Sequence, residues 1–454
     1  MNYTEELSRF VARARTEDFP PEVRDAAKKA LLDWIGVTLA AAGEPAAEIL
    51  LGIIDEMGGR KQASILGYGR KTTMLAACLM NGTLAHILDF DDAHGDIRTH
   101  PSAPMVPAVL ALGEYREMPG TELIAAIVAG FEVTVRLGYA LGSAYYEKGW
   151  HGTAILGRFG AAAAAARMLG LDAQRTSIAL GLAATQAGGL RDVFGTMGKP
   201  FHSGKAAMDG LLAAMLAGRG FTAPPDMLRP GAGFARVITD IYDSDAIVAP
   251  PGNGYLIVGG YFKPYAACLF THAVIDGLLT LRKSHGFNHA SIKEVRIRVA
   301  PMNMRVAGNM APKDATEAKF SVAAAAGLAI IHGRATEGTF SDKNVRDPEL
   351  QALIKRLRIT TEAGLGEQET FMEVVLSDGR CLPIHVTNPK GDPKNPMSFD
   401  EVAEKMRDLS EKAVSARAAG RIVEMVKRLE EVDNIARLVR LCALSGRRKA
   451  ALLP

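Results

Sequence analysis

The chain has 454 residues, of which 48% are apolar and 23% are charged, the composition of an ordinary globular protein. This length exceeds what a single compact core usually holds and favours two domains. The formal net charge is only +3, and no extended basic segment occurs. This charge distribution argues against a nucleic-acid-binding protein.

The cysteines and the start of the chain bear on the cellular compartment. Cys78, Cys268, Cys381 and Cys442 are far apart and form no CxxC pair, which argues against a disulfide framework or a zinc ribbon and suits a reducing compartment. Residues 1–6 contain acids where a signal peptide needs basic residues followed by an apolar core. The apolar stretches are shorter than the roughly 18 residues that a membrane span needs. We therefore expect a cytoplasmic protein with no membrane segment.

Helical periodicity dominates the chain as far as about residue 220. Pro20 and Pro21 open a segment whose apolar residues recur at helical spacing up to Gly43. Alanine and glycine are frequent, and small side chains let helix backbones approach closely, so we predict a tightly packed body of helices. The further predicted helices are Thr73–Leu88, Pro104–Glu114, Glu122–Leu141, Gly160–Leu169, Ala173–Gly188 and Lys205–Ala217.

A segment of mixed strands and helices follows after residue 260. Val295–Val299 alternates apolar and polar residues, the period of a strand with one wet face, and Leu357–Thr361 is similar. Phe371–Leu376 and Cys381–Val386 flank a glycine-bearing turn, a pattern that predicts a β-hairpin. The predicted helices of this segment are Phe320–His332 and Pro348–Leu357.

These patterns predict a fold that is mainly α with a smaller α+β domain. Amphipathic helices return after a hinge rich in Pro, Lys and Asn at residues 388–396. We therefore predict an all-helical body formed by both chain ends, residues 1–262 and 395–454. The α+β segment at 263–394 is then an inserted lid domain.

The densest group of polar residues lies in Asp89–Ser102, between two predicted helices. It contains four aspartates and two histidines, and functional groups often collect on such loops. An EF-hand calcium loop is excluded, because His94 and His100 stand where that loop needs a glycine and an acid. The DDxxD pattern of prenyl synthases is excluded as well, because Gly95 stands where its last acid belongs.

Two interpretations of this loop remain open. Asp91 and Asp92 could serve only to cap helices or to pair with Arg98, a common surface arrangement. For Asp89 together with His100, the catalytic interpretation is favoured, for reasons given below.

Three further polar islands occur near predicted helices, at residues 149–153, 195–205 and 261–268, the last followed by His272. Neither Lys199 nor Lys205 completes a P-loop, because the required first glycine and the following Ser or Thr are missing. No complete dinucleotide-binding glycine pattern opens a helix after a strand.

The islands offer histidines and lysines but no clear nucleophile. A Gly-x-Ser-x-Gly elbow is missing, which argues against a serine hydrolase. Cys268 could be a thiol nucleophile with His272 near it on the same predicted helix, but its apolar neighbours favour buried packing. The remaining chemistry is an acid–base site with cations, in which lysines hold carboxylates and a neutral histidine removes a proton from carbon.

Several ordered motifs make the sequence similar to the MmgE/PrpD family over nearly its whole length. Together they are a more specific signal than any one of them. The motifs are Asn81–Thr83 with His86, Asp89–Asp92, Thr99–Ser102, Trp150–Thr153, Phe159–Ala162, Gly198–Pro200 with His202 and Gly204, Lys263–Tyr265 with His272, and Phe320–Ser321.

The resemblance implies a helical domain made from both chain ends, a smaller α+β lid domain and a homodimer. The family includes 2-methylcitrate dehydratase, cis-aconitate decarboxylase and iminodisuccinate epimerase. It implies a small polycarboxylate substrate and no metal or organic cofactor. By motif position, the implied active-site residues are Asp89, His100, His151, His272, Lys199 and Lys263. We predict catalytic roles for Asp89, His100, His151, Lys199 and His272, and substrate binding by Lys263 together with Arg98 and His202. The site is expected between helical body and lid.

Departures from the family pattern bear on the reaction. The decarboxylase branch resembles DFDDT, whereas this chain has Ala93 at the last position. That branch also expects a tyrosine in the loop after Val295–Val299, where residues 302–304 are Met-Asn-Met. Both differences count against decarboxylation of cis-aconitate. The loop Ala93–Thr99 also differs from the longer form typical of methylcitrate dehydratases, so the subfamily stays open.

We predict a cofactor-independent lyase that removes a proton alpha to a carboxylate, with 2-methylcitrate-like dehydration favoured on family frequency. His151 or His100 takes the proton, and another histidine protonates the leaving hydroxide. Return of the proton to the opposite face would give epimerisation instead, since both reactions share a carbanion-like intermediate that cations stabilise.

Two rival hypotheses make different predictions. A non-catalytic helical binding protein would leave Asp89, His100, His151, Lys199 and His272 far apart. A metal-dependent hydrolase would be centred on the loop from Asp89 to His100 and would lose activity to a chelator.

Overall fold

The computed structural model describes residues 2–251 and 254–442, and the chain divides into two units. The helical unit contains the chain up to Tyr261 together with the chain from Ser398 onward, and the α+β unit contains Phe262–Met397. Helices predominate, and the strands form two small sheets. The prediction of a mainly α fold with a smaller α+β part is confirmed.

The first part of the helical unit contains eleven α-helices among the described residues. Side chains cap several of them: the Thr73 hydroxyl accepts from the backbone N–H of Ala76, and Asp172 accepts from that of Arg175. The helices are α1 Tyr3–Arg13, α2 Pro21–Ala40, α3 Pro45–Met57, α4 Met74–Ile87, α5 Ser102–Arg116, α6 Gly120–Leu141, α7 Ala144–Glu147, α8 Gly152–Met168, α9 Ala173–Thr185, α10 Gly198–Gly218 and α11 Gly233–Ile238.

Two helices begin about two turns earlier than predicted. Helix α8 starts at Gly152 rather than Gly160, and α10 starts at Gly198 rather than Lys205. The glycines and polar residues of these first turns have low helix propensity, but packing against neighbouring helices outweighs that preference. As a consequence, the polar islands at residues 149–153 and 195–205 contain the first residues of α8 and α10.

A short β-ribbon, which we did not predict, interrupts the helices, so the body is not all-helical. Strands β1 Ala63–Ile65 and β2 Arg70–Thr72 pair antiparallel. The Asn81 side chain of α4 fixes the ribbon, because its oxygen accepts from the N–H of Leu66 at 3.0 Å and its amide donates to the carbonyl of Ser64 at 2.9 Å. Asn81, the first residue of the motif Asn81–Thr83, therefore has a structural role.

Helix α6 lies in the core of the helical unit. By length and composition it could span a membrane, but 89% of its apolar window is buried inside the fold. It packs against α8 and α5. Helices α2 and α3 are long and apolar enough to span a membrane only when they are counted as one joined pair, and this pair is bent by 88°. The surroundings of α6 are those of a core helix, whose apolar residues contact protein on all sides.

Helices α4 and α10 cross in close contact through a pair of glycines. A β-carbon on Gly82 would lie 2.8 Å from the α-carbon of Gly204. A β-carbon on Gly204 would in turn overlap the carbonyl oxygen of Leu79 and the hydroxyl of Thr83. Only glycine permits this approach of two backbones. The crossing matters because both helices carry candidate site residues.

Gly204→Ala is therefore expected to lower the free energy of unfolding by about 3 kcal/mol, since a methyl group must force two packed backbones apart. Thermal or denaturant unfolding measures the change. Gly52→Ala is the matched control in α3, where an added β-carbon meets nothing within 4 Å. That variant should gain up to about 1 kcal/mol from helix propensity. Equal stability of the two variants would contradict the close crossing.

The α+β unit is built on one four-stranded sheet with the order β4-β3-β5-β6. Strand β3 pairs parallel with β4 and antiparallel with β5, and β5 and β6 form the predicted hairpin. Helix α12 packs against α15 and β6. The elements are α12 His272–His285, β3 Ile292–Val299, α13 Pro301–Ala307, α14 Ala315–Lys319, α15 Val322–His332, α16 Asp342–Val345, α17 Pro348–Ile354, β4 Leu357–Thr361, β5 Thr370–Leu376 and β6 Cys381–Val386.

The chain after the α+β unit completes the helical unit with α18 Phe399–Ser410, α19 Ala416–Lys427 and α20 Ala436–Leu441. Helix α18 packs on α2, and its buried Lys405 donates to the carboxylate of Asp33 at 2.6 Å and to the carbonyl of Phe90 at 2.7 Å. A lysine from the last part of the chain thus holds the polar loop that follows α4.

Candidate functional site

The loop between α4 and α5 contains four aspartates, and each of them has a different partner. Three of the four are buried. The loop is therefore an ordered part of the core rather than a solvated acidic surface. The partners are Lys199 for Asp89, His86 and His100 for Asp91, Ser102 for Asp92, and Tyr139 for Asp96.

Asp89 and Lys199 form an ion pair between the end of α4 and the first turn of α10. The lysine Nζ lies 2.5 Å from Oδ1 of Asp89, and each side chain is 11% exposed. Asp89 adopts a left-handed backbone conformation with φ of 53°, which aspartate tolerates better than most residues. The Lys199 ammonium also lies 5.2 Å from the ring centre of Phe194. The ammonium of Lys199 is thus nearly removed from water, with its charge balanced by Asp89.

Four histidines from four segments of the chain surround this pair. The ring centres of His86 and His100 are 4.5 Å apart, and those of His86 and His151 are 5.9 Å apart. His151 and His202 approach each other with their Nδ1 atoms 3.1 Å apart. His86, His151 and Asp89 are buried. Of the predicted site residues, the structure thus brings together Asp89, His100, His151, Lys199 and His202.

The carboxylate of Asp91 lies between two of these imidazoles. Its oxygens are 2.9 and 3.1 Å from Nδ1 of His86, and Oδ2 is 3.1 Å from Nδ1 of His100. Burial alone would raise the pKa of Asp91, but the two histidines outweigh burial and hold that pKa well below 3.8. Asp91 is therefore ionised, and its interpretation as a mere helix cap or partner of Arg98 is wrong.

His86 and His151 are neutral in this environment. Burial lowers the pKa of His86 to about 4, although Asp91 opposes the shift. Burial, followed by the charges of His86 and Lys199, lowers the pKa of His151 well below 6.5. The pKa of His202 is lowered by burial and by Arg158. A neutral imidazole beside a lysine ammonium is suited to accept a proton from a bound carbon acid.

Asp92 differs from its neighbours because it is buried away from any cation that could hold its charge. Its Oδ2 accepts from the Ser102 hydroxyl at 2.6 Å, and its Oδ1 has no hydrogen-bond partner among the described residues. Burial raises the pKa of Asp92 well above 3.8, and the charges of Asp33 and Asp91 add to this shift. Asp92 is thus a neutral carboxylic acid with a structural role.

Asp92→Asn is expected to stabilise the protein increasingly as pH rises. An acid with a raised folded-state pKa keeps its proton when folded, so above its unfolded pKa of about 3.9 the parent loses about 1.4 kcal/mol of unfolding free energy per pH unit until the folded pKa is passed. The amide does not titrate. The difference in Tm between variant and parent should be small at about pH 4 and grow towards about pH 7. A difference that stays constant over this range would contradict a protonated Asp92.

A metal ion has to be considered at this site, because one potential ligand atom from each of His86, Asp89 and His100 lies within 4.8 Å of the others. However, the Lys199 ammonium is already paired with Asp89. A cation bound through Asp89 would lie beside this ammonium and be repelled by it. The residues therefore suit an internal lysine–carboxylate pair better than a metal centre.

Arg98 was predicted to bind substrate carboxylates. Its guanidinium lies 3.1 Å from Oε1 of Glu147 and 5.0 Å from the ring centre of Tyr146, both of which belong to α7. These contacts direct the side chain towards α7, and substrate binding by Arg98 stays a prediction.

Lys263 and His272 belong to the α+β unit, where both are buried. Nε2 of His272 is 3.0 Å from the carbonyl oxygen of Ala267, and its ring lies edge-on to Tyr265 with 5.3 Å between the ring centres. His272 begins α12, whereas Cys268 precedes a short 3-10 turn. The two residues therefore do not share a helix. The roles of Lys263 and His272 stay predictions from the resemblance.

Sequence reasoning missed residues that support the site. His86 was named only as part of a family motif, although it lies in the last turn of α4, just before the polar loop. Arg158 on α8 was not named at all; its Nε donates to the buried Asp209 at 2.9 Å, and its Nη1 donates to the carbonyl of Gly188 at 2.7 Å. The next carbonyl, of Gly189, accepts from the N–H of His151 at 3.0 Å. No local pattern marks such a buried arginine.

Comparison with known protein families addresses the identity of the chain. The family model of the MmgE/PrpD N-terminal domain matches residues 5–245, and that of the MmgE/PrpD C-terminal domain matches residues 265–431. The chain belongs to the MmgE/PrpD family. The resemblance deduced from the ordered motifs is thereby confirmed.

Curated relatives within this family share about a quarter of their residues with the chain. The "Cis-aconitate decarboxylase-like protein oryM" of Aspergillus oryzae is 26% identical over 97% of both chains. A cis-aconitate decarboxylase of Aspergillus terreus is 26% identical over 96% of this chain and 95% of its own. The cis-aconitate decarboxylase of Homo sapiens is 27% identical over 80% of this chain and 78% of its own.

Proposed function

We propose that this protein is a lyase that acts on a small polycarboxylate through a carbanion-like intermediate, with decarboxylation of a cis-aconitate-like acid as its first candidate reaction. The convergence of one lysine–aspartate pair and four histidines in the helical unit carries this proposal. The relatives, which are named as cis-aconitate decarboxylases, favour this reaction over the 2-methylcitrate dehydration that family frequency favoured.

The residues divide the chemistry between them. The Lys199 ammonium holds a substrate carboxylate by a charge-assisted hydrogen bond. Loss of CO₂ breaks a carbon–carbon bond and leaves an electron pair that spreads over the adjacent C=C bond and carboxylate. Preorganised positive charge stabilises this intermediate. His100, which lies beside Asp91, then delivers a proton to carbon, and this completes the reaction without any external electron acceptor.

Dehydration is the second candidate, and specific residues favour it. Ala93 replaces the last residue of the decarboxylase-like DFDDT pattern and is held in a backbone bridge with Tyr261. Residues 302–304, where a decarboxylase is expected to carry a tyrosine, lie in α13 rather than in a loop. The Asn303 amide is committed to the carbonyls of Phe270 and Glu367. In a dehydration, neutral His151 would take the proton alpha to a carboxylate.

Purified full-length protein should be incubated with cis-aconitate, and the product followed by proton NMR together with release of CO₂. Parallel reactions with citrate, 2-methylcitrate, malate-like and aminodicarboxylate acids should be monitored in the ultraviolet for new C=C bonds. We expect turnover of one of these acids that persists with EDTA. Activity lost to the chelator would support the metal-dependent hydrolase instead, and no turnover of any acid would support the binding protein.

The homodimer implied by the resemblance is part of this proposal. Light scattering on the purified protein should give twice the mass of one chain, whereas the mass of a single chain would remove the dimer from the proposal.

A further inference from the structure

We propose that Asp91 is a positioning residue that fixes the tautomers of His86 and His100 together, so that the Nε2 atom of each imidazole is the one left for proton transfer. The tautomer assignment stands on geometry alone. Its kinetic consequence rests on the proposed function, because only an acid–base reaction at these histidines would depend on the tautomers.

The geometry around Asp91 places one carboxylate against the Nδ1 atoms of two imidazoles. An ionised carboxylate only accepts hydrogen bonds and offers about four lone-pair positions, and Asp91 is 1% exposed, so water cannot replace a partner. Both of its imidazole contacts are made to Nδ1: that of His86 is a hydrogen bond of 2.9 Å, and that of His100 is an ion-pair contact of 3.1 Å. A proton on Nδ1 of each histidine is therefore the arrangement that satisfies the carboxylate. The hydrogen bond to one ring nitrogen determines the state of the other.

Asp91 can enforce this arrangement because the backbone on both sides of it is anchored. The preceding Phe90 gives its carbonyl to Lys405 at 2.7 Å. Ala93, two residues later, exchanges backbone hydrogen bonds with Tyr261 at 2.8 and 2.7 Å. The carboxylate is thus held at a fixed position between the end of α4, which carries His86, and the start of α5, near which His100 lies.

Asp91 differs from the candidate catalytic residues because its proposed role is to contact histidines rather than substrate. His86 remains neutral and donates its Nδ1 proton to Asp91. One carboxylate thereby orients two histidines of the site at once, and a change at Asp91 should disturb both.

Asp91→Asn tests this proposal, because the amide retains one acceptor oxygen but turns an NH₂ donor towards the position of the other. Downfield proton NMR in water detects exchange-protected imidazole N–H protons directly. The parent should show two such resonances from the pair, assigned by their separate loss in His86→Gln and His100→Gln. In Asp91→Asn at least one of the two should disappear while the circular dichroism spectrum stays that of the parent.

Asp92→Asn is the matched control, since it makes the same chemical change at the neighbouring buried aspartate, which contacts Ser102 rather than a histidine. It should keep both resonances and the turnover of the parent. On the substrate found for the parent, Asp91→Asn should lose about a hundredfold in kcat/KM, as expected for misplaced catalytic groups.

Two results would overturn the proposal: a parent protein without the two assigned resonances, or an Asp91→Asn variant that retains both. The first of these results is read from the parent spectrum, so the proposal can be rejected even if Asp91→Asn does not fold. Failure of the proposed function looks different, because the resonances would then be present and sensitive to Asp91 while the parent turns over no polycarboxylate. Loss of the resonances in Asp92→Asn as well would indicate a general structural effect and would also contradict the proposal.

Discussion

If the parent dehydrates its polycarboxylate substrate, His151→Gln is expected to reduce kcat/KM by about 10³-fold. Glutamine preserves much of the shape and can hydrogen-bond, but it cannot accept a proton from carbon, and a general base contributes about 10²- to 10⁴-fold. The backbone N–H of His151, which donates to Gly189, is unaffected by the change. Initial rates over a range of substrate concentrations measure the effect.

The pH profile of the parent gives an independent readout of the same group. The base must be unprotonated to act, and the pKa of His151 is lowered well below 6.5 by burial and by nearby positive charge. If His151 is the base, activity is lost only when pH falls through this lowered pKa, so the acidic limb of kcat/KM should lie below pH 6.5.

His285→Gln is the control for this substitution, because it changes an exposed histidine at the end of α12. It should leave kcat/KM at the parent value. Parent-like turnover in His151→Gln would remove His151 from the mechanism.

Lys199→Met should reduce kcat/KM by about 10²- to 10³-fold, the loss expected when one electrostatic contact to a developing anion is removed. The same change deprives the buried Asp89 of its ammonium partner. Removal of one member of a buried pair costs about 3 kcal/mol in unfolding free energy. Steady-state kinetics and denaturant unfolding measure the two effects separately.

The double variant Asp89→Asn/Lys199→Met separates a functional from a structural role of Lys199. Because the variant removes the carboxylate of Asp89 together with the ammonium of Lys199, no unpaired charge is left at this position. The free energy of unfolding should therefore return towards that of the parent. Turnover should stay low, because the cation for the substrate carboxylate is still missing. Recovery of turnover together with stability would show that Lys199 acts only as a structural partner of Asp89.

The two reactions that remain in competition depend on few residues. Both need a cation for carboxylates and a histidine that donates a proton, whereas only the dehydration also needs a histidine that removes the proton alpha to a carboxylate. The relatives favour decarboxylation, whereas Ala93 and residues 302–304 favour dehydration. The product formed from the first accepted substrate therefore tests the reaction more directly than any single substitution.

The helices could be predicted from sequence wherever apolar periodicity was strong. Helix α4 was expected at Thr73–Leu88 and occurs at Met74–Ile87, and strand β4 occurs at Leu357–Thr361 as predicted. The prediction failed for the first turns of α8 and α10, because glycines and polar residues there are weak helix formers and only tertiary packing makes those turns helical.

The residue types of the site could also be read from the sequence, but their partners could not. The ordered motifs pointed to Asp89, His100, His151 and Lys199, which the fold brings together. By contrast, Asp91 could equally have been a helix cap, and His86 had no assigned role. An aspartate and its histidine partner in the same loop become distinguishable from a cap only when burial and distance are known.

Local sequence thus determined the chemistry available to this protein, since periodicity fixed most helices and the motifs fixed which acids, histidines and lysines accompany them. Tertiary structure alone decided the state of each group. The loop contains four aspartates, yet one pairs with a lysine, one with two histidines and one is a neutral acid. The physical reason is that charge is set by burial and by neighbours distant in the chain, such as Lys199, and neither is encoded in local sequence.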